Sequence, residues 1–199
     1  MKKLLSKIAT VVTLAVASTL AVQAQLASTV EYGRTTLIFD PSFTAGLSSL
    51  GAQLGGTGFS SVDSSGTIVF PVVSGSVDLQ TGLAELNHLG GLSVIANGLH
   101  LRLQNFLIDS TGPPSITCLL VVNNQLIRRI PLFSLTLPPG TSLPLPTTAG
   151  VLQVNGLGVT ISPGGAAAIN SVFGNNAIPG GMLVGTMNIY AVLSPNSNQ

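Results

Sequence analysis

Short runs of apolar residues alternate along the chain with clusters of Gly, Asn and Pro, which is the pattern of short strands joined by tight turns. The clearest case is a pair of runs at 92–96 and 99–103 that flank Asn97-Gly98. Asn-Gly supplies the two positive-φ residues that a type I′ turn demands. These segments are therefore predicted to form a β-hairpin.

The same pattern predicts strands over most of the chain and two further hairpins, one at Asn123-Asn124 and one at Asn155-Gly156. A stretch with four prolines, 138–146, is predicted to be an extended surface loop. The other predicted strands are 35–39, 67–73, 83–88, 116–122, 125–130, 132–137, 151–154, 157–161 and 182–193.

Two segments carry the signals of short helices. In each, a capping residue (Asp40 or Ser162) precedes a proline at the first helical position, and a Gly follows the amphipathic turns. Together these elements predict an all-β fold, namely an antiparallel β-sandwich with two short helices. Residues 25–199 are predicted to form this single domain.

The N-terminal 24 residues have the three parts of a secretory signal. Three lysines precede an apolar run over 8–22, and small residues lead to a cleavage site after Ala24. The run is shorter than the roughly 20 residues that a membrane-spanning helix needs. Residues 1–24 are therefore predicted to be a cleaved signal peptide, and the protein is expected to be periplasmic or extracellular, with no transmembrane span in its mature part.

Removing the signal changes the charge, because all three lysines of the chain lie within it. Four arginines then face six carboxylates, which gives a net charge near −2. Nucleic acids and anionic membrane surfaces are bound by clusters of Lys and Arg. The charge balance therefore argues against both kinds of partner.

Candidate catalytic and redox groups are few. Cys118 is the only cysteine and lies in an apolar run, so a buried, unreactive thiol is predicted, with a disulfide between chains as the alternative. The two histidines have no metal-ligand spacing, and no Gly-x-Ser-x-Gly motif stands between a strand and a helix. Asp40 is better explained as a helix cap, and Asp63 and Asp109 as loop residues.

Several segments together resemble a group of secreted bacterial β domains, the HtaA-type domain. The resemblance covers most of 35–192 and rests on strands, glycines and one His in the segments 78–82, 88–92, 101–109, 130–133 and 159–163. Better-known members of this group bind haem at the cell surface, with a Tyr as iron ligand and a His that supports it. The resemblance therefore implies Tyr32 and His88 as candidate haem-binding residues; Tyr190 is the other tyrosine and is expected to pack in the sheet.

We therefore predict a non-catalytic, exported domain that binds a surface or small-molecule ligand, or has a structural role, with no cofactor. One alternative is a haem-binding protein of the HtaA type that uses Tyr32 and His88. Another alternative is a hydrolase of unrecognised type.

Overall fold

The computed structural model describes residues 27–63, 65–174 and 176–194. The predicted signal peptide, 1–24, lies outside these residues. The strands are β1 (Ser28–Phe39), β2 (Gln53–Thr57), β3 (Ser61–Val62), β4 (Ile68–Val77), β5 (Ala84–His88), β6 (Gly91–Ala96), β7 (Leu99–Asp109), β8 (Ser115–Val122), β9 (Gln125–Thr136), β10 (Thr147–Thr148), β11 (Val151–Ile161) and β12 (Leu183–Leu193). The helices are α1 (Pro41–Ser49) and α2 (Pro163–Phe173).

Eight of these strands form a closed antiparallel barrel. The order around the ring is β7-β5-β4-β1-β12-β11-β9-β8, and β8 pairs with β7 to close it. The prediction of a sandwich was therefore wrong, while the all-β class and the two short helices are confirmed. An inward-facing apolar side chain at every second position suits either architecture, so the alternation along single strands does not distinguish them.

Closure depends on β7, which pairs with three other strands. One edge of β7 pairs with β8 from Leu101 to Asp109. The other edge is shared, because its first half pairs with β6 and its last residues pair with β5. The sheet continues past β7 through β6 to β2, and the two-residue strands β3 and β10 pair with β4 and β11.

Glycines and bulges let the barrel strands coil tightly. The pairing register shifts within β1, β4, β7 and β11, as expected where strands bend. At Gly33 and Gly75, a Cβ atom would overlap the carbonyl oxygens of Tyr190 and Glu85 on the neighbouring strands. Only a residue without a side chain fits where two backbones approach so closely.

Two of the three predicted hairpins are confirmed. Asn97-Gly98 joins β6 to β7 and Asn123-Asn124 joins β8 to β9, and all four residues have positive φ. The third prediction, at Asn155-Gly156, was wrong because β11 runs straight through these residues. The register shifts there instead, and the Gly156 amide donates to the Asn188 side chain at 2.8 Å. An Asn-Gly pair can thus sit in a β-bulge as well as in a turn.

Both helices begin as predicted and lie at the same end of the barrel, where β1 and β11 end. The Asp40 side chain accepts from the Ser42 amide at 2.8 Å, and the Ser162 hydroxyl accepts from the Gly165 amide at 2.9 Å. α2 packs closely on β9, since a Cβ atom at Gly165 would overlap the Leu132 carbonyl oxygen. Among the described residues, no helix is long and apolar enough to cross a membrane.

The barrel interior is a continuous apolar core. The rings of Phe70 and Phe106 pack edge to face in it, with centroids 5.0 Å apart. The Cys118 side chain is fully buried there, and burial raises the pKa of its thiol to about 12. The predicted buried thiol is therefore confirmed, and its high pKa keeps it protonated and unreactive.

Candidate functional site

His88 is a polar side chain inside the apolar barrel. It is the last residue of β5 and is only 4% exposed. Its Nδ1 lies 3.3 Å from the Phe106 carbonyl oxygen, and its Nε2 lies 2.7 Å from the Thr35 hydroxyl. A carbonyl oxygen can only accept, so the ring proton belongs on Nδ1 and the Thr35 hydroxyl donates to Nε2. Both ring nitrogens are thus bonded within the fold.

Burial determines the protonation state of His88. Removal from water penalises the charged imidazolium and lowers the pKa of His88 to about 4, although the backbone carbonyls of Phe106 and Leu86 act in the opposite direction. The neutral ring also suits its partners, because protonated Nε2 could not accept from Thr35. His88 is therefore neutral at physiological pH and ties β5 to β1 through Thr35.

Tyr32, the other candidate haem residue, lies on the outer surface. Its side chain is 59% exposed. Tyr32 lies on β1 directly after a register shift between Val30 and Tyr32. Because His88 points into the barrel, the structure does not bring the two side chains together. Tyr32 faces solvent on the outer side of the barrel wall, whereas both ring nitrogens of His88 are bonded on the inner side.

An aromatic and cationic pair of side chains lies on the same outer face as Tyr32. Arg34 follows two residues along β1 and pairs with Tyr190 of β12. The Arg34 guanidinium carbon lies 4.8 Å from the centre of the Tyr190 ring, within the range of a cation–π contact. Tyr190 therefore packs on the sheet surface, half-buried under Arg34, whereas Tyr32 leaves its phenol in solvent.

An apolar cavity lies at the barrel end opposite the helices. It has a volume of about 180 Å³ and is walled by residues of β5, β7 and β11. Leu143 and Leu145 of the Pro-rich loop lie over it. We did not predict this pocket from the sequence. The two leucines among the prolines of 138–146 were the available signal, because in a fully solvated loop they would expose apolar surface to water.

Four aspartates accept hydrogen bonds from nearby residues in turns and caps. Asp40, Asp63, Asp78 and Asp109 each accept a hydrogen bond from a Ser or Thr two or three residues later. These side-chain hydrogen bonds are the main reason that the pKa of each carboxyl is lowered. The predicted cap at Asp40 and the loop position of Asp63 are confirmed. The prediction for Asp109 was wrong, because Asp109 is the last residue of β7 and pairs with Glu85 and Ser115. No group of three or more potential metal ligands occurs in the described part of the chain.

These features define a closed antiparallel β-barrel, capped by helices at one end and open to a pocket at the other. The structure is similar to that of the C-terminal domain of HtaA from Corynebacterium glutamicum, with a TM-score of 0.64 and 16% sequence identity. The match covers 84% of this chain and 99% of that domain. The predicted resemblance to the HtaA-type domain is therefore confirmed at the level of the fold.

A second structure, a domain-swapped dimer of a variant of the same HtaA domain, matches with a TM-score of 0.56 and 17% identity. That match covers 77% of this chain and 91% of the other. No known protein family matches the sequence, and no curated protein matches it either.

The burial of neutral His88 predicts a specific loss of stability in weak acid. The folded pKa of about 4 lies below the unfolded value of 6.5, so the folded state binds fewer protons between these values. The contribution of neutral His88 to the free energy of unfolding is fully present above pH 6.5 and is lost as the pH falls towards 4. The expected loss is on the order of 3 kcal/mol in the free energy of unfolding, which urea titrations at a series of pH values would measure.

Two variants isolate this effect. His88→Gln should be less stable at pH 7 but should lack most of the loss between pH 6.5 and 4.5. His100→Gln, at the half-buried histidine that bonds Ser93 on the barrel exterior, should keep the wild-type pH dependence. The same pH dependence in His88→Gln as in the wild type would contradict the assignment.

Proposed function

We propose that this chain is an exported, non-catalytic binding domain. The observation that carries the proposal is the fold, a closed barrel similar to a domain of HtaA over nearly all of that domain's length. The positions of the reactive side chains support it. His88 has both nitrogens bonded within the core, Cys118 is buried, and four aspartates accept hydrogen bonds in local turns and caps.

Export rests on the N-terminal pattern of residues 1–24 and agrees with the composition of the rest. The 25–199 segment carries few charges and a single cysteine. Because one cysteine cannot form a disulfide within the chain, the fold itself must supply the stability that an exported protein needs. The barrel supplies that stability by pairing all eight ring strands on both edges over part or all of their length.

Fractionation of the native host's cells tests export directly. Intact-mass measurement of the protein from the periplasm or medium should give a chain that begins at Gln25. An Ala24→Lys variant should block cleavage, because a long charged side chain is not accepted at the cleavage site. Recovery of the uncleaved chain from the cytoplasm of wild-type cells would contradict the proposal.

Haem binding is the second candidate function, and the exposure of Tyr32 is the observation that favours it. A tyrosine phenolate is an established ligand of haem iron, and this phenol is free to reach a partner outside the barrel. Arg34 lies on the same face and could pair with a haem propionate. The fit is partial, because neither Tyr32 nor His88 lines the barrel-end cavity. His88 would contribute only by holding β1 in place through Thr35.

A haem titration followed in the Soret band tests this candidate. A saturating one-to-one shift is expected for the wild type, and Tyr32→Phe should abolish it because the ring then has no oxygen to bind iron. Tyr190→Phe is the matched control on the neighbouring strand and should bind like the wild type. The absence of a saturable shift, or an unchanged shift in Tyr32→Phe, would remove haem by this route and leave the binding proposal with another ligand.

A further inference from the structure

The pocket at the open end of the barrel has the form of a ligand site. Its floor is made by inward-facing side chains of three different ring strands, Leu86 of β5, Ile108 of β7 and Leu152 of β11. All three are buried parts of the core. The floor is therefore rigid, because each of these strands is paired on both sides.

The Pro-rich loop forms a fixed roof over this floor. The Leu145 amide donates to the Leu79 carbonyl oxygen at 2.7 Å, which ties the loop to the segment between β4 and β5. Leu143 and Leu145 lie close to Gly82, where an added Cβ atom would come within 3.3 Å of the Leu143 side chain. Roof and floor are thus held apart by the backbone, and a cavity of about 180 Å³ remains between them.

The mouth of the pocket exposes an unusual amount of apolar surface. Leu83, Leu137 and Leu143 line it, and their side chains are between 44% and 53% exposed. Isolated exposed leucines are common on protein surfaces, but a group of them at the rim of a cavity marks a binding site. An apolar ligand that contacts this rim would remove part of that surface from water.

The polar groups in the lining are already used within the protein. The Ser110 hydroxyl accepts from the Ala84 amide at 2.7 Å and donates to the Gly82 carbonyl oxygen at 3.0 Å. The Thr81 hydroxyl donates to Asp78 at 2.7 Å. None of the residues that line the pocket is charged, so a buried ionic group would find no partner there and would be strongly disfavoured.

We propose that this pocket binds a compact, uncharged apolar molecule, or the uncharged apolar end of a larger one, of about the size of a single aromatic ring. The volume sets the size, since an engineered protein cavity of about 150 Å³ lined by similar side chains binds benzene. The site is separate from the outer face that carries Tyr32. Its occupancy is therefore independent of haem binding, and either test can fail without the other.

Three probes of one size and different charge test the ligand class. Toluene is neutral, benzoate is an anion and benzylamine is a cation at neutral pH. Toluene near its solubility limit should raise the midpoint of thermal unfolding of the purified protein, because a ligand that binds only the folded state stabilises it. Benzoate and benzylamine at equal concentration should leave the midpoint unchanged. No effect of toluene, or an equal effect of either charged probe, would overturn the proposal.

Two variants locate the binding. Ala84→Phe places a ring in the pocket and should abolish the toluene effect. Leu143→Ser removes an exposed roof side chain and should weaken toluene binding by roughly tenfold through lost apolar contact; it decides the question if Ala84→Phe does not fold. Leu126→Ser, at a leucine that is also exposed but lies at the other end of the barrel, is the control and should bind as the wild type does. Unchanged toluene binding in Leu143→Ser and in any folded Ala84→Phe would place toluene elsewhere and overturn the proposal.

Discussion

The hydrogen-bonded ladder between β7 and β8 is the constraint on which the rest of the structure depends. It runs from Leu101 opposite Val122 to Asp109 opposite Ser115 and turns an open sheet into a ring. Without it, β7 and β8 would each present a row of unpaired backbone groups, which favours aggregation. With it, every inward-facing side chain of eight strands must pack into one enclosed core.

That enclosure explains why the buried side chains of His88 and Thr35 are paired. An unpaired imidazole in such a core would carry a substantial desolvation cost. His88 avoids it by bonding Phe106 on one side and Thr35 on the other, so it links strands that are not neighbours in sequence. The polar groups of these interior side chains are thus used within the fold, and the proposed binding sites lie on the outer face and at one barrel end.

The two ends differ because different connections close them. The connections after β1 and β11 contain α1 and α2, whose apolar sides cover one end and leave a cavity of about 40 Å³ beneath them, with wider clefts beside α1. The opposite end is covered by an extended Pro-rich loop. Such a loop does not fill space as a helix does, and a pocket of about 180 Å³ remains beneath it.

Local structure was predictable from the sequence because its causes are local. The turns at Asn97-Gly98 and the caps at Asp40 and Ser162 follow from backbone preferences of a few neighbouring residues. Closure of the barrel was not predictable, because it depends on which distant strands meet, and each strand shows the same alternation in a sandwich. Asn155-Gly156 shows the same limit, since only its pairing with β12 makes it a bulge instead of a turn.

The same distinction between local and long-range causes applies to the candidate site. The sequence indicated His88 and Tyr32 as residues of interest, but which face of the barrel each side chain occupies depends on strand register. A shift of one residue reverses the face, and β1 contains such a shift just before Tyr32. The pocket under Leu143 depends on a long-range contact of the loop with Leu79 and could not be inferred from composition.

Native-state hydrogen exchange along β8 tests the closed barrel most directly. If the ring is closed, the β8 amides that point towards β7 should exchange only by opening that costs nearly the full free energy of unfolding. The outer edge of β2, which among the described residues pairs only with β6, should exchange much faster and serves as the internal reference. Exchange of those β8 amides as fast as the β2 edge would show an open sheet and contradict the account.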